Sequence, residues 1–179
     1  LSVDSEGRTN IRKNQDIIPI IEDFVKKHPD FSYKGARGII ALTGYRGILG
    51  YDTHRRVHPQ EFQVEKEQAM KIAKHLKKLG WIFASHSYTH IHSNMCTYNA
   101  FKNDTERWDK EVRSLIGDVN IFIYPYGEDV SKNSAKVHYL KKKGFNVFMG
   151  VEPKSEVVVY KNSIFINRIP IDGRFLKGH

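Results

Sequence analysis

Trp81-Ile82-Phe83-Ala84-Ser85-His86-Ser87-Tyr88-Thr89-His90-Ile91-His92 is an apolar, strand-like run that passes directly into closely spaced histidines. His86 and His90 stand at i and i+4, so a helical turn beginning just after the strand projects both rings from one face, within reach of a single metal ion. His92 follows close behind. Strand ends and the loops after them are where α/β proteins place functional side chains, so position adds to spacing. The competing reading is a chance pair, because 9 histidines are scattered along the chain.

The 179 residues suffice for a single domain, 1–179, that buries roughly 70% of its unfolded surface without staples. A hydrophobic share of 40% and a charged share of 27% are ordinary for a globular chain, and no apolar run approaches the ~18 residues of a membrane span. Leu1 brings neither an initiating methionine nor a signal-peptide pattern, which reads as a processed form or an excised fragment and leaves targeting open. The single Cys96 cannot form an internal disulfide and reads as a plain thiol rather than a ligand.

A net charge of +9 raises the question of a polyanionic partner. Lys71, Lys74, Lys77 and Lys78, however, fit the polar face of an amphipathic helix, and Lys141-Lys142-Lys143 closes another where cations complement the macrodipole. With no recognisable binding module, no nucleic-acid partner is expected, whereas an acidic glycan is compatible with the charge.

Leu1-Ser2-Val3 followed by Asp4-Ser5-Glu6-Gly7 reads as a strand end or hairpin. Asp16 caps a helix in which Ile17, Ile20, Ile21, Phe24 and Val25 keep the helical period, with Pro19 in its first turn and Pro29 at its stop. Arg37 to Gly44, with Ile39-Ile40-Ala41-Leu42 at its centre, predicts a strand buried on both faces. Gly44 to Pro59 lacks periodicity and reads as a long loop, either one wall of a site or a solvated basic segment. Helical spacing returns with Ala69, Ile72, Ala73, Leu76 and Leu79 and stops at Gly80, and Trp81 to Ala84 is the next strand. Asp104 caps a helix that turns Trp108, Val112, Leu115 and Ile116 inward. Asn120 to Tyr124 is a strand that enters Pro125-Tyr126-Gly127. A helix from Ser134 to Lys143 precedes the strand Phe145 to Met149, and Glu156 to Tyr160 with Ser163 to Ile169 predicts a hairpin or two neighbouring strands. This alternation gives an α/β fold with a largely parallel sheet, open or closed into a barrel.

The order of these pieces, a strand ending in His86-Ser87-Tyr88-Thr89-His90, a helix, and a strand ending in Pro125-Tyr126-Gly127, resembles the polysaccharide deacetylase family, carbohydrate esterase family 4. The likeness spans roughly Asp16 to Gly150. Its most specific part is Gly80 to His90, and Ile123 to Gly127 is similar to the family's third motif. The resemblance implies a distorted (β/α) barrel with largely parallel strands, incomplete at its N-terminus. It implies that His86 and His90 hold a divalent cation, commonly zinc, with an aspartate as third protein ligand. Pro125, Tyr126 and Gly127 would line the groove for a polysaccharide substrate. The implied reaction is hydrolytic removal of acetyl groups from an N- or O-acetylated polysaccharide, outside the cell or in its envelope. A metal-activated water, a carboxylate base and a backbone N–H near Tyr126 would share the work.

Departures from the family pattern accompany the likeness. The family's first motif has two adjacent aspartates before the first helix, and this chain holds no Asp-Asp pair. Either Asp4 survives from a degenerate motif, or the pair lay upstream of Leu1; the second reading is favoured and makes Asp4 a turn residue. Ile123 stands where the third motif usually has arginine, and no histidine marks the final motif. Arg168, Asp172 and His179 are candidates for the acid role without a commitment to any, and His92 is either a supporting group or solvated. The catalytic acid and base are therefore unassigned, and a non-catalytic carbohydrate-binding domain on the same fold is the alternative.

Overall fold

The chain runs β1 (Ser2–Val3), β2 (Thr9–Asn10), α1 (Ile17–Lys27), β3 (Ile39–Leu42), α2 (Pro59–Lys78), β4 (Ile82–Ser85) and α3 (Tyr98–Trp108). A π turn (Asp109–Arg113) leads into the short α4 (Ser114–Ile116), followed by β5 (Ile121–Ile123), α5 (Ala135–Lys142), β6 (Val147–Val151), β7 (Glu156–Tyr160) and β8 (Ser163–Arg168). The computed structural model describes residues 2–4, 6–10, 16–54, 59–128, 130–132, 134–171, 173 and 177. Asp172 and His179, two of the candidate acids, lie outside the described residues, as do Arg55, Arg56 and His58 of the long loop.

β1 and β2 pair with each other, and the other strands share one sheet in the order β3-β4-β5-β6-β8-β7. Every pair from β3 to β8 is parallel, and β7 adds antiparallel at the far edge, joined to β8 through Lys161-Asn162 as a hairpin, one of the two expected arrangements. The sheet is mostly parallel as expected but does not close: β3 and β7 are both edges, so the strands form an arc of a barrel.

Successive residues of each strand face opposite sides of the sheet. Phe83, Phe122, Phe148 and Phe165 join the main core beneath the helices, with Ile72, Leu76, Trp108, Val137 and Leu140. Ala84, Ile121, Ile123 and Met149 form a small second cluster on the other face. Burying a large side chain contributes about 1.5–3 kcal/mol, so the aromatic layer contributes substantially to stability.

The edge position of β3 corrects one expectation. Only Leu42 of that strand is buried, and Ile39 is 38% exposed, because among the described residues no strand pairs along its outer side. The helix against it is affected in the same way. Asp16 caps α1 as expected, accepting from the Ile17 N–H at 2.7 Å, but Ile18, Ile21 and Val25 supply the packing while Ile17, Ile20 and Phe24 stay exposed. Glu22 ties α1 to the sheet, accepting from Trp81 Nε1 at 2.7 Å and pairing with Arg37 at 2.9 Å.

A second correction concerns Asp104, which is not a cap. Thr97 caps α3 by accepting from the Ala100 N–H, and Asp104 lies well inside the helix on its buried face, beside Phe101, Thr105 and Trp108. Among the described residues no helix is long and apolar enough to cross a membrane.

Candidate functional site

Parallel strands send their C-terminal ends to one rim, where open α/β sheets place their ligands. On that rim β3 leads into Gly44, β4 into His86, β5 into Tyr124 and Pro125, and β8 ends at Arg168. His86 N still donates to Leu42 O at 3.0 Å, so the imidazole leaves the sheet from a backbone held by its neighbouring strand.

Beyond His86 the chain does not form the helical turn that the spacing suggested. Ser87 and His90 both adopt left-handed backbone geometry (φ 57° each), giving a tight loop. Asp104 holds that loop from below: Oδ1 accepts from Tyr88 N at 2.6 Å, and Oδ2 accepts from Thr89 N at 2.9 Å and Thr89 Oγ1 at 2.5 Å. Ser87 Oγ accepts from Ile91 N at 2.9 Å, and the Tyr88 hydroxyl donates to Glu111 at 2.5 Å. Tyr88 O in turn accepts from the N–H groups of Gly44 and Tyr45, which fixes the start of the long loop against the rim. Position 44 admits only glycine, since a Cβ there would lie 2.3 Å from the Tyr88 ring.

This scaffolding brings Nε2 of His86 to 3.1 Å from Nε2 of His90, with ring centroids 4.7 Å apart. His86 Nδ1 is 2.8 Å from Ile123 O and, facing a carbonyl, must be the protonated nitrogen; Nε2 is then the lone-pair nitrogen. Burial chiefly holds the His86 pKa below the usual histidine value, with His90 and Arg168 adding to the effect against the Ile123 hydrogen bond. The charge of Arg168 thus reaches His86, while its Nε donates to Gly150 O at 3.2 Å.

Two nitrogens bound to one tetrahedral zinc at about 2.0–2.1 Å lie about 3.3 Å apart, so the observed pair suits a shared cation. Among the described residues no set of three His, Cys, Asp or Glu side chains is placed to hold a metal. His92 stands aside from the pair, 2.9 Å from Glu128 through Nδ1. Asp4 accepts from the Glu6 and Arg8 N–H groups and pairs with Arg8, so its carboxylate is engaged in its own turn.

Pro125, Tyr126 and Gly127 form a single turn at the end of β5. Pro125 is buried, Tyr126 is exposed with its ring centroid 4.5 Å from that of His90, and Gly127 has φ 73°. Sequence reasoning missed Asp104 and Glu128. A signal existed for the first, an acid inside the otherwise apolar stripe Phe101, Trp108, Val112; for the second none did.

Comparison with known proteins bears on this arrangement. The sequence profile described as polysaccharide deacetylase matches residues 52–148, more than half of the chain. No curated protein matches. Among solved structures, BA3943, a CE4 family pseudoenzyme from Bacillus anthracis, is similar at 15% identity and a TM-score of 0.48, over 73% of this chain and 37% of that one. A mutant of BA3943 is similar at 16% identity and TM-score 0.48, over 74% and 38% of the two chains. IcaB from Ammonifex degensii is similar at 17% identity and TM-score 0.46, over 59% and 48%. This chain therefore spans less than half the length of those proteins. With the profile matched across both the histidine loop and the Pro125-Tyr126-Gly127 turn, the chain belongs to the polysaccharide deacetylase family.

Proposed function

We propose that this domain removes acetyl groups from an N- or O-acetylated polysaccharide, with His86 and His90 holding a divalent metal, zinc in the first instance. The observation that carries this reading is the 3.1 Å approach of two Nε2 atoms, one of them kept as a lone pair by Ile123 O. A zinc ion bound there would polarise an acetyl carbonyl and lower the pKa of its water. The chain's own contribution is to hold the two imidazoles aligned. The Asp104 carboxylate fixes the loop between them, and burial of His86 keeps its ring unprotonated to lower pH. The ring of Tyr126 lies 4.5 Å from that of His90, and the family resemblance implies that a backbone N–H of this turn would serve as a donor for the carbonyl oxygen on which charge develops. The general base, the general acid and the third ligand are not assigned to described residues. Such polymers lie outside the cell or in its envelope, which is where the reading places the domain.

The test is zinc titration together with acetate release from acetylated chitin and xylan oligomers. Stoichiometric zinc that depends on both histidines, with acetate released, supports the reading. Wild-type protein that takes up no zinc removes it. The absence of a third ligand among the described residues favours a second reading, a carbohydrate-binding domain without chemistry. Glycan binding that survives chelation, with no acetate released, selects that alternative.

A further inference from the structure

Tyr126 has left-handed backbone geometry (φ 58°) and is 58% exposed, so its own turn leaves the ring free to change rotamer. Two neighbours restrain it. His92 lies flat against it, with centroids 3.8 Å apart and planes at 0°, and His90 meets it nearly edge-on. His92 is itself held, because Nδ1 donates to Glu128 Oε1 at 2.9 Å.

Glu128 and Tyr126 flank Gly127, where a Cβ would lie 2.5 Å from the Val151 Cβ, so the backbone between the ring and its brace packs tightly on β6. The second carboxylate oxygen, Oε2, is buried and has no hydrogen-bond partner among the described residues. An unpaired buried carboxylate oxygen costs free energy that an exposed glutamate avoids. Stability therefore does not account for the placement of Glu128, and what it does to His92 and Tyr126 is the better explanation.

We propose that Glu128 is a positioning residue for sugar recognition. Through His92 it fixes the plane of Tyr126, and the outward face of the His92–Tyr126 stack is the surface on which the C–H face of a pyranose rests beside the histidine pair. The proposal rests on the polysaccharide reading given above. Its energetic basis is preorganisation: side chains already ordered in the free protein need not be ordered on binding.

Two measurements test it, the NMR shifts of the His92 ring protons in the free protein and calorimetric affinity for a tetramer of β-1,4-linked N-acetylglucosamine. Stacking on Tyr126 moves the His92 ring protons upfield in the wild type. Glu128→Ala abolishes that shift and weakens tetramer affinity about tenfold. Glu128→Gln, whose amide oxygen still accepts from Nδ1, retains both. His92→Ala carries the same loss of affinity, and the double variant loses no more, as expected for residues acting as one unit. A ring shift unchanged in Glu128→Ala overturns the proposal, as does wild-type affinity that neither substitution alters. Wild-type protein with no affinity for the tetramer overturns this inference, and no affinity for acetylated xylan oligomers either removes the polysaccharide reading with it; loss confined to the variants leaves both standing.

Discussion

Asp104 Oδ2 accepts two hydrogen bonds from one residue, the backbone N–H of Thr89 at 2.9 Å and its hydroxyl at 2.5 Å. With Oδ1 on Tyr88 N, this carboxylate sets the loop that carries His90 toward His86. Asp104→Ala strands buried donors and is expected to cost about 3 kcal/mol in urea unfolding. Zinc affinity should fall about 10–100-fold in the same variant, as for other groups that orient ligands. Unchanged zinc affinity in a folded Asp104→Ala protein would show that the loop orders itself.

Removal of either imidazole tests the pair directly. His86→Ala and His90→Ala should each lower zinc affinity by about 100-fold or more, exceeding the loss from a supporting residue. Cys96→Ser should leave zinc affinity unchanged. Equal zinc uptake by wild type and both histidine variants would sink the shared-cation reading.

Alkaline pH should weaken the fold through Tyr88. Burial first, then its hydrogen bond to Glu111, raises the phenol pKa above the ordinary value. Folded and unfolded chains both keep the proton below about pH 10, where the contribution of Tyr88 is fully present. Above that the unfolded chain releases the proton while the folded chain retains it, so stability declines as pH rises toward the folded value. The difference in urea midpoint between wild type and Tyr88→Phe should therefore shrink between about pH 8 and about pH 10.5. A constant difference would refute the assignment.

Gly127→Ala combines a left-handed backbone with a collision against Val151. The expected loss is about 1–3 kcal/mol, the range for a residue forced into unfavourable backbone geometry. Val151→Gly removes the atom that the new Cβ would meet and should restore part of that loss, leaving the backbone component. Thermal unfolding of the two single variants and the double variant decides it; independent, additive effects would mean the two residues do not collide.

Much of the fold was readable because its signals are local. The spacing of Ala69, Ile72, Ala73 and Leu76 described α2, and the apolar run before His86 described β4, since both periodicities are properties of short segments. Burial of individual faces was less readable. Ile39 and Ala41 look like core in sequence, and only the strand order shows that their strand is an edge. Asp104 has the side-chain chemistry of a helix cap, and a cap at Thr97 together with burial of its own carboxylate changed its role.

The amino-acid sequence by itself determined the alternation of helices and strands, two neighbouring strands near residues 156–169 and the presence of two histidines at the mouth of a strand. Tertiary structure decided which groups meet. Thr89 and Asp104 are 15 residues apart and His92 and Glu128 are 36 apart, and each pair is brought together by the parallel register of β4 and β5 and the packing of α3 against them. Contacts of that kind depend on how several segments fit at once, so no pattern within one segment can encode them.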